Sequence, residues 1–171
     1  MKLIVSDRPL QLPETTSGEI EWIDLSRLKI AHCVGCFGCW TKTPGKCVIR
    51  DDAVKVYPRI AASDQLMYVS AVRYGGYDTV MKTMLERAIP VQQAFIRLHR
   101  GETHHVQRRV APKQAVIIGY GELSEEEKEV FRQLAARNAN NMNFESYRVV
   151  FAREETLEET VREEVLAWER S

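Results

Sequence analysis

Four cysteines lie within fifteen residues of this 171-residue chain, and their spacing is the clearest sign of chemistry in the sequence. They are Cys33, Cys36, Cys39 and Cys47, so the first three repeat at intervals of three. Closely spaced thiolates on one loop can ligate an iron–sulfur cluster. Four thiolates also suit tetrahedral zinc, although structural zinc sites usually come as two separated pairs. Free thiols or a disulfide under the edge of a sheet are the third interpretation, and the residues leave all three open.

Two segments combine glycines with aromatic side chains and are candidates for contact with a flat ligand. The first consists of Val72, Arg73, Tyr74, Gly75, Gly76 and Tyr77, and the second of Gly119, Tyr120 and Gly121. Glycine lets backbone approach a ligand closely, and a tyrosine ring can stack on or flank it. A plain turn between a strand and a helix would need the same residues, so each segment has two interpretations.

The composition excludes several classes of protein. Lys and Arg total 24, Asp and Glu also total 24, and 44% of the residues are hydrophobic. This balance argues against wholesale disorder and against a uniformly cationic nucleic-acid binder. No apolar run is long enough for a signal peptide or a membrane span, so we expect a cytoplasmic protein without nucleic-acid or membrane partners. The length suits a single domain over residues 1–171.

Short apolar runs alternate with amphipathic segments along the chain. The predicted strands are Leu3–Val5, Glu19–Ile23, Gln65–Val72, Gln114–Gly119 and Tyr147–Phe151. Asp51 and Asp52 are predicted to cap a helix over 53–62, and Asp78 a second helix that Pro90 interrupts. Capping boxes at Ser124/Glu127 and Thr156/Glu159 predict two more helices. Leu157, Val161, Val165 and Trp168 mark the buried stripe of the last one.

This alternation predicts an α/β fold, a flavodoxin-like three-layer sandwich with a five-stranded parallel sheet of order 2-1-3-4-5. The third and fourth strands are continuously apolar and should lie at its centre. Ligands of such sheets bind beyond the carboxyl ends of the strands. Both glycine–aromatic segments follow central strands, so the fold would bring them to one edge.

The cysteine segment closely resembles part of the NAD(P)H-dependent FMN reductase family, including its iron–sulfur flavoprotein branch. The resemblance rests on residues 33–40, on residues 44–49 and on Asp51-Asp52. Tyr74 and Gly75 match the family's loop after the third strand, and Lys82, Glu86 and Arg87 match its Lys-x-x-x-(Asp/Glu)-Arg helix. The similarity is good from about Ile30 to Pro90 and thinner, but collinear, towards the C-terminus.

The resemblance implies a flavin-dependent oxidoreductase or electron-transfer flavoprotein that passes electrons from NAD(P)H through FMN. Residues 72–77 and 119–121 would contact FMN, and the four cysteines would ligate an iron–sulfur cluster. The flavin carries the chemistry, so no catalytic acid or base is expected. The resemblance also implies a small-molecule or redox-protein electron acceptor and a homodimer that uses the helix after Asp78 and the segment to about Arg109.

The sequence departs from the family between the first two strands. Twelve residues, Asp7 to Gly18, separate them, with Pro9 and Pro13 among them. A parallel crossover usually needs a helix, so the family's first helix and its phosphate loop are predicted to be missing. Thr15, Thr16 and Ser17 are the hydroxyls left in this stretch. The alternative function is therefore a non-catalytic dimeric interaction or metal-binding module that has lost flavin.

A basic stretch between the second and third predicted helices has no clear secondary-structure pattern. It contains Arg97, His99, Arg100, His104, His105, Arg108, Arg109 and Lys113. A solvated insertion is one interpretation. The other is a contact with the phosphates of a nicotinamide cofactor, or with the flavin phosphate of a partner subunit.

Overall fold

The structure is a computed structural model, and it describes residues 1–14 and 20–170. A parallel sheet of five strands has the order β2-β1-β3-β7-β8, and a separate antiparallel pair is formed by β5 and β6. The strands are β1 (Lys2–Ser6), β2 (Ile20–Asp24), β3 (Gln65–Arg73), β4 (Gly76–Tyr77), β5 (Gln92–His99), β6 (Glu102–Gln107), β7 (Lys113–Tyr120) and β8 (Phe144–Ala152). The helices are α1 (Gly38–Thr41), α2 (Ala53–Ala62), α3 (Thr79–Glu86), α4 (Glu125–Asn141) and α5 (Leu157–Glu169).

The predicted flavodoxin-like fold and strand order are confirmed. β3 pairs in parallel with β1 on one side and with β7 on the other, so the two most apolar strands are central, as expected. The predicted second strand began at Glu19, which lies outside the described residues. Most of β3 and β7 is buried because helices cover both faces, which explains their continuous apolar character.

The two faces of the sheet are covered unequally. Leu3, Leu66 and Ile117 pack with α2, α3 and α4 in the larger core cluster. Ile4 and Met67 point to the other face, where α5 supplies the predicted stripe of Leu157, Val161, Val165 and Trp168. Successive residues of a strand point to opposite faces, so neighbouring positions divide between the two clusters.

Residues 7–14 pass from β1 towards β2 without regular secondary structure, as the predicted loss of the first helix requires. Leu10 is buried in the cluster under α5, and Leu12 packs against the same cluster. Arg8 forms an ion pair with Glu154, and the backbone N–H of Gln11 donates to Glu158 at 2.9 Å. The connection is therefore attached to the residues that begin α5. Thr15, Thr16 and Ser17 lie outside the described residues.

Most of the basic stretch is a partly exposed β-hairpin, a secondary structure that the sequence did not predict. β5 and β6 are joined at Arg100 and Gly101, whose φ values are +50° and +81°. Positive φ at both central residues is typical of a type I′ turn, which usually has Asn-Gly or Asp-Gly. An Arg-Gly turn lacks that signature, so the hairpin was not predicted. Lys113 belongs instead to β7 and is buried.

Two predicted caps hold and two differ. The Ser124/Glu127 capping box is present at the start of α4, and Asp78 caps α3. The Thr156/Glu159 box is absent, because the Thr156 hydroxyl accepts the Arg153 N–H of a preceding 3-10 turn. At α2 only one of the two predicted aspartates acts as a cap, since Asp51 accepts the Ala53 N–H while Asp52 makes no capping hydrogen bond.

Candidate functional site

All four cysteines line one cavity of about 140 Å³. It lies under the loop that joins β2 to α2, and its other walls are mostly apolar, with Phe37, Trp40, Ile49 and Pro90 among them. Cys33 and Cys36 are exposed, Cys47 is half-buried and Cys39 is buried in the first turn of α1; none forms a disulfide. The tertiary structure thus brings together the predicted ligand set.

Close backbone packing shapes the cysteine loop. Phe37 and Gly35 have φ values of +54° and +62°, which turn the chain sharply into α1. A Cβ on Gly38 would lie 2.6 Å from a Val48 methyl carbon, so a larger residue there would require the Val48 side chain to move. Trp40 donates from its indole nitrogen to the Gln92 carbonyl at 3.0 Å, which fastens α1 to the first residue of β5.

Arg87 connects the two ends of the cysteine loop. Its guanidinium, on a side chain only 1% exposed, donates to both carboxylate oxygens of Asp51 at 2.7 and 2.9 Å. It also donates to the Ala31 carbonyl at 2.7 Å and to the Cys47 sulfur at 3.4 Å. Asp51 in turn accepts the Ala31 N–H. One buried ion pair therefore holds the residues before and after the cysteines and places a positive charge at Cys47.

The electrostatics differ between the carboxylate and the thiols of this site. Partial burial opposes ionisation of Asp51, but the Arg87 guanidinium and backbone N–H donors hold its pKa below the usual range. Burial raises the pKa of the Cys39 thiol, and the neighbouring Cys47, Cys33 and Cys36 raise it further. Within residues 1–14 and 20–170, no three His, Cys, Asp or Glu side chains already surround a common metal position.

The segment after β3 forms a tight hairpin with β4, and most of its side chains are not free to meet a ligand. Val72 and Tyr77 are buried, and Arg73 pairs with Asp78. Tyr74 and Gly75 form the turn with φ values of +53° and +74°. The Tyr74 side chain is 95% exposed, so it is the aromatic group of this segment that a ligand could reach.

A Cβ on Gly75 would lie 2.6 Å from Val130 of α4, so the tip of this hairpin packs closely against the helix. The remaining residue of the segment is Gly76. A Cβ added there would have only the Arg73 carbonyl oxygen within 4 Å, at 3.6 Å. Backbone, rather than side chain, is therefore what most of residues 72–77 could offer to a ring.

The second predicted segment is largely occupied by contacts within the protein. The Tyr120 hydroxyl donates to Asp7 at 2.9 Å, and the side chain is buried. Gly119 faces Val72 and Phe131, where an added Cβ would approach to 2.8 and 3.0 Å. The Gly121 N–H donates to the Ala152 carbonyl, but Gly121 also lines a cavity of about 430 Å³. This cavity lies beyond the carboxyl ends of β7 and β8.

Asp7 is the residue at this edge that sequence reasoning missed. It follows β1, its carboxylate accepts the Ala71 N–H at 2.6 Å and the Tyr120 hydroxyl, and its own N–H donates to the Val69 carbonyl. It therefore joins the ends of three adjacent strands. Burial raises its pKa above the ordinary aspartate value, against the hydrogen bonds that favour the charged form. Its position as the first polar residue after a buried strand was the available signal.

At the carboxyl end of β1 the protein therefore presents the Asp7 carboxylate, whereas a phosphate-binding loop would present hydrogen-bond donors at this position. Near it, Arg8 is paired with Glu154 and Lys128 with Glu125. Arg153 and Lys128 both line the 430 Å³ cavity, so positive charge is present on its wall. Among the described residues, no helix is both long and apolar enough to cross a membrane.

Comparison with known proteins places these features in a family. The model of the NADPH-dependent FMN reductase family matches residues 6–146. An iron–sulfur flavoprotein from Archaeoglobus fulgidus is 34% identical over 84 residues, which cover 49% of this chain and 37% of that protein. An iron–sulfur flavoprotein from Methanocaldococcus jannaschii is 31% identical over 77 residues, covering 45% of this chain and 39% of that protein. The matched segments thus span well under half the length of these relatives.

Solved structures share the fold at low sequence identity. An FMN-dependent NADH-azoreductase from Bacillus anthracis, solved with FMN, superposes with a TM-score of 0.61 at 10% identity, covering 99% of this chain and 97% of that one. An NAD(P)H:quinone oxidoreductase from Methanothermobacter marburgensis gives 0.62 at 10% identity, covering 100% and 98%. The family model covers most of the sequence, and the strand order of the sheet is the one predicted for a flavodoxin-like fold. This chain belongs to the NADPH-dependent FMN reductase family.

Proposed function

We propose that this protein is a flavin-dependent oxidoreductase that uses FMN and takes electrons from NAD(P)H. Membership of the family is the observation that carries the proposal. FMN, when bound, supplies the hydride and electron transfer. The protein's part would be to position the ring with the backbone of residues 72–77 and 119–121, with the exposed Tyr74 ring beside it. The electron acceptor would be a small molecule or a redox protein.

Recognition of the FMN phosphate is the weakest part of this proposed flavin site. The end of β1 carries the buried Asp7 carboxylate, and residues 8–14 run along the start of α5 instead of entering a helix. A charge-assisted hydrogen bond contributes about 1.5–3 kcal/mol. Loss of two such bonds would weaken FMN binding by roughly two to four orders of magnitude. We therefore expect FMN and riboflavin to bind with similar affinity.

The test is a titration of the purified protein with FMN and with riboflavin, followed by flavin fluorescence, and an NADH or NADPH oxidation assay. Similar micromolar affinities together with flavin-dependent oxidation would support the proposal. Much tighter binding of FMN would show that a substitute phosphate site exists, and Arg153→Ala would then test the cavity beside Gly121. If neither flavin binds and NAD(P)H is not oxidised, the oxidoreductase proposal is wrong.

We also propose that Cys33, Cys36, Cys39 and Cys47 ligate an iron–sulfur cluster. The support is that all four line one cavity, that Arg87 places positive charge at Cys47, and that two relatives carry the name iron–sulfur flavoprotein. A cluster bound by four thiolates is anionic, so a buried guanidinium beside it is favourable. Ligation would require the exposed Cys33 and Cys36 side chains to turn inward.

Iron analysis tests this second proposal. Protein reconstituted under anaerobic conditions should contain about four iron atoms per chain if the cluster is a cubane. Cys36→Ser should lose them, whereas Val34→Ser, in the same exposed turn, should retain them. Wild-type protein without iron after reconstitution would refute the proposal and leave zinc or free thiols. A reducing compartment such as the cytoplasm is the location we propose for four unpaired cysteines.

Exposed apolar side chains on the β5–β6 hairpin support a homodimer. Phe95, Ile96 and Leu98 are 71%, 66% and 77% exposed. Neighbouring strand residues point to opposite faces, so the hairpin carries apolar side chains on both. Exposed apolar patches of this kind commonly mark protein interfaces. The hairpin lies within the segment to Arg109 that the sequence predicted for dimer contact.

A further inference from the structure

A groove of about 520 Å³ borders the cysteine loop at Gly45, and none of the four cysteines lines it. Its wall combines Tyr57 and Pro58 of α2, Gly45 of the cysteine loop, and Val91, Arg108 and Arg109 at the base of the β5–β6 hairpin. Most of this surface is apolar, and no acidic side chain lines it. The volume is within the range of about 300–1,000 Å³ that is usual for small-molecule sites.

The two arginines of the groove lack acidic partners. Neither Arg108 nor Arg109 forms an ion pair within the part of the chain that the structure describes. The Arg108 Nε atom is buried and has no hydrogen-bond acceptor. A buried donor without an acceptor is unfavourable, and a ligand that supplied an acceptor would relieve this.

The Arg108 side chain is held against the wall and does not extend freely into solvent. Its backbone N–H donates to the Val91 carbonyl at 2.9 Å. Its aliphatic part runs beside Gly45, where an added Cβ would lie 3.4 Å from Arg108 Cδ and 3.6 Å from Nε. These are ordinary van der Waals distances, so it is the φ of +84° that favours glycine at position 45. The Arg108 side chain thus packs against the cysteine loop at Gly45.

We propose that this groove binds a small aromatic phosphate monoester. The planar guanidinium forks of two adjacent arginines match the oxygens of a phosphate dianion. The apolar surface formed by Pro58 and Val91 would receive the ring. Two cations with no acid nearby favour a doubly charged group over a neutral ligand.

The groove is a different site from the proposed flavin site. Residues 108–111 lead into the amino end of β7, and the Ala111 N–H donates to the carbonyl of Ala61, near the end of α2. The flavin segments lie at the opposite, carboxyl ends of the strands. The groove is nevertheless coupled to the cysteine loop, because the hydroxyl of Tyr57 accepts the Cys47 N–H at 3.1 Å. Because the groove and the flavin segments lie at opposite ends of the strands, ligand binding in the groove can be measured without flavin.

The experiment uses phenyl phosphate as the probe, with inorganic phosphate and phenol as the separate halves of that molecule. Binding is measured by calorimetry and by the shift of the Arg108 Nε–H resonance in ¹⁵N-labelled protein. The test variant is R108A/R109A. The matched control is R50A/R162A, which removes the same charge from two exposed arginines that do not line the groove.

We expect phenyl phosphate to bind at millimolar concentration or below, more tightly than either half, and to shift the Arg108 resonance. R108A/R109A should bind about tenfold more weakly or worse, and R50A/R162A should match the wild type. Equal affinity in the test and control variants would overturn the proposal, as would absence of binding to the wild type. If R108A/R109A does not fold, R109A alone serves, because Arg109 is exposed, and it should weaken binding severalfold.

Discussion

The two terminal nitrogens of the buried Arg87 guanidinium have several acceptors, and these acceptors come from both ends of the cysteine loop. Asp51, the Ala31 and Ile49 carbonyls and the Cys47 sulfur all converge on it. The loop of about twenty residues has little regular structure of its own beyond α1. Arg87, just after α3, therefore joins the two ends of the loop, while Trp40 attaches its middle to Gln92.

We predict that Arg87→Ala will destabilise the fold by about 3 kcal/mol or more, because it leaves the Asp51 carboxylate without its buried partner. The variant should also expose Cys39 and Cys47, whose thiols should react faster with a disulfide reagent. Urea unfolding and thiol-labelling kinetics measure the two effects. The control is Lys82→Ala, which removes an exposed cation of the same helix and should change stability by less than about 0.5 kcal/mol. Equal effects of the two substitutions would contradict the assigned role of Arg87.

Lys113 gives a prediction about pH at the same scale. Burial lowers the pKa of this amine from 10.5 to about 8, although its Nζ atom donates to the Ala111 carbonyl at 2.5 Å. Between those pH values the unfolded chain binds more protons than the folded one, so stability contributed by this residue rises with pH. Below about pH 8 the lysine is charged in both states, and the unfavourable burial of that charge is fully present.

The free energy of unfolding of Lys113→Met should therefore exceed that of the wild type most strongly near neutral pH. The excess should shrink by about 3 kcal/mol as pH rises towards 10.5, because the free energy changes in proportion to the difference in pKa between the folded and unfolded states. Denaturant titrations of both proteins across this range provide the measurement, and the other titrating groups cancel in the difference. Parallel pH curves for the two proteins would show that the amine is not desolvated.

Among the elements, the two short hairpins have similar turns in different surroundings. Gly75 and Gly101 both have positive φ, +74° and +81°. An added Cβ at Gly75 would lie 2.6 Å from Val130, whereas nothing lies within 4 Å of one at Gly101. The β3–β4 turn thus packs against α4, whereas a side chain at Gly101 in the β5–β6 turn would have free space around it. Substitution of Gly101 therefore tests backbone strain alone, whereas substitution of Gly75 adds steric crowding to the same strain.

We predict that Gly101→Ala will lower stability by about 1–2 kcal/mol, the usual strain of a left-handed non-glycine residue. Gly75→Ala should lower it by about 1–3 kcal/mol more, because Val130 and the backbone of α4 must also move. Thermal or urea unfolding of the two single variants measures this difference directly. A loss at Gly75 no larger than that at Gly101 would mean that α4 gives way freely.

For the whole molecule, the main asymmetry lies between the two faces of the sheet. Three helices cover one face, while α5 and the irregular residues 7–14 cover the other. Leu10 fills part of the space that a first helix would fill. The β5–β6 hairpin contacts the end of α4 through Glu102 and His104, yet it leaves Phe95, Ile96 and Leu98 exposed. The molecule therefore has the internal packing of its fold but retains a surface suited to a partner.

We predict that the protein is a dimer in solution at micromolar concentration and that Ile96→Lys combined with Leu98→Lys makes it a monomer. These two residues lie on the same face of β5, so lysines there would place charges in the contact. Light scattering gives the mass of each protein. Tyr147→Lys, at a 41%-exposed site on the edge strand β8, is the control and should remain a dimer. A monomeric wild type would refute the prediction.

Sequence reasoning recovered the architecture well because apolar patterning reports burial directly. The central strands, the buried stripe of α5 and the Ser124 capping box are all local signals and all agree with the structure. The β5–β6 hairpin was not predicted, since an Arg-Gly turn and strands with exposed apolar residues imitate a solvated loop. Thr156 was assigned the wrong role because its hydroxyl had a closer donor in the preceding turn.

The sequence by itself determined the order of the elements, the position of the cysteines and the shortness of the first crossover, because each follows from residue type and spacing along the chain. Only the tertiary structure decided which side chains meet. It placed Arg87 under Cys47, tied Tyr120 to Asp7 across 113 positions, and set Arg108 beside Gly45. Such contacts join residues from different elements, so they depend on how helices and hairpins pack on the sheet and leave no periodic trace in the sequence.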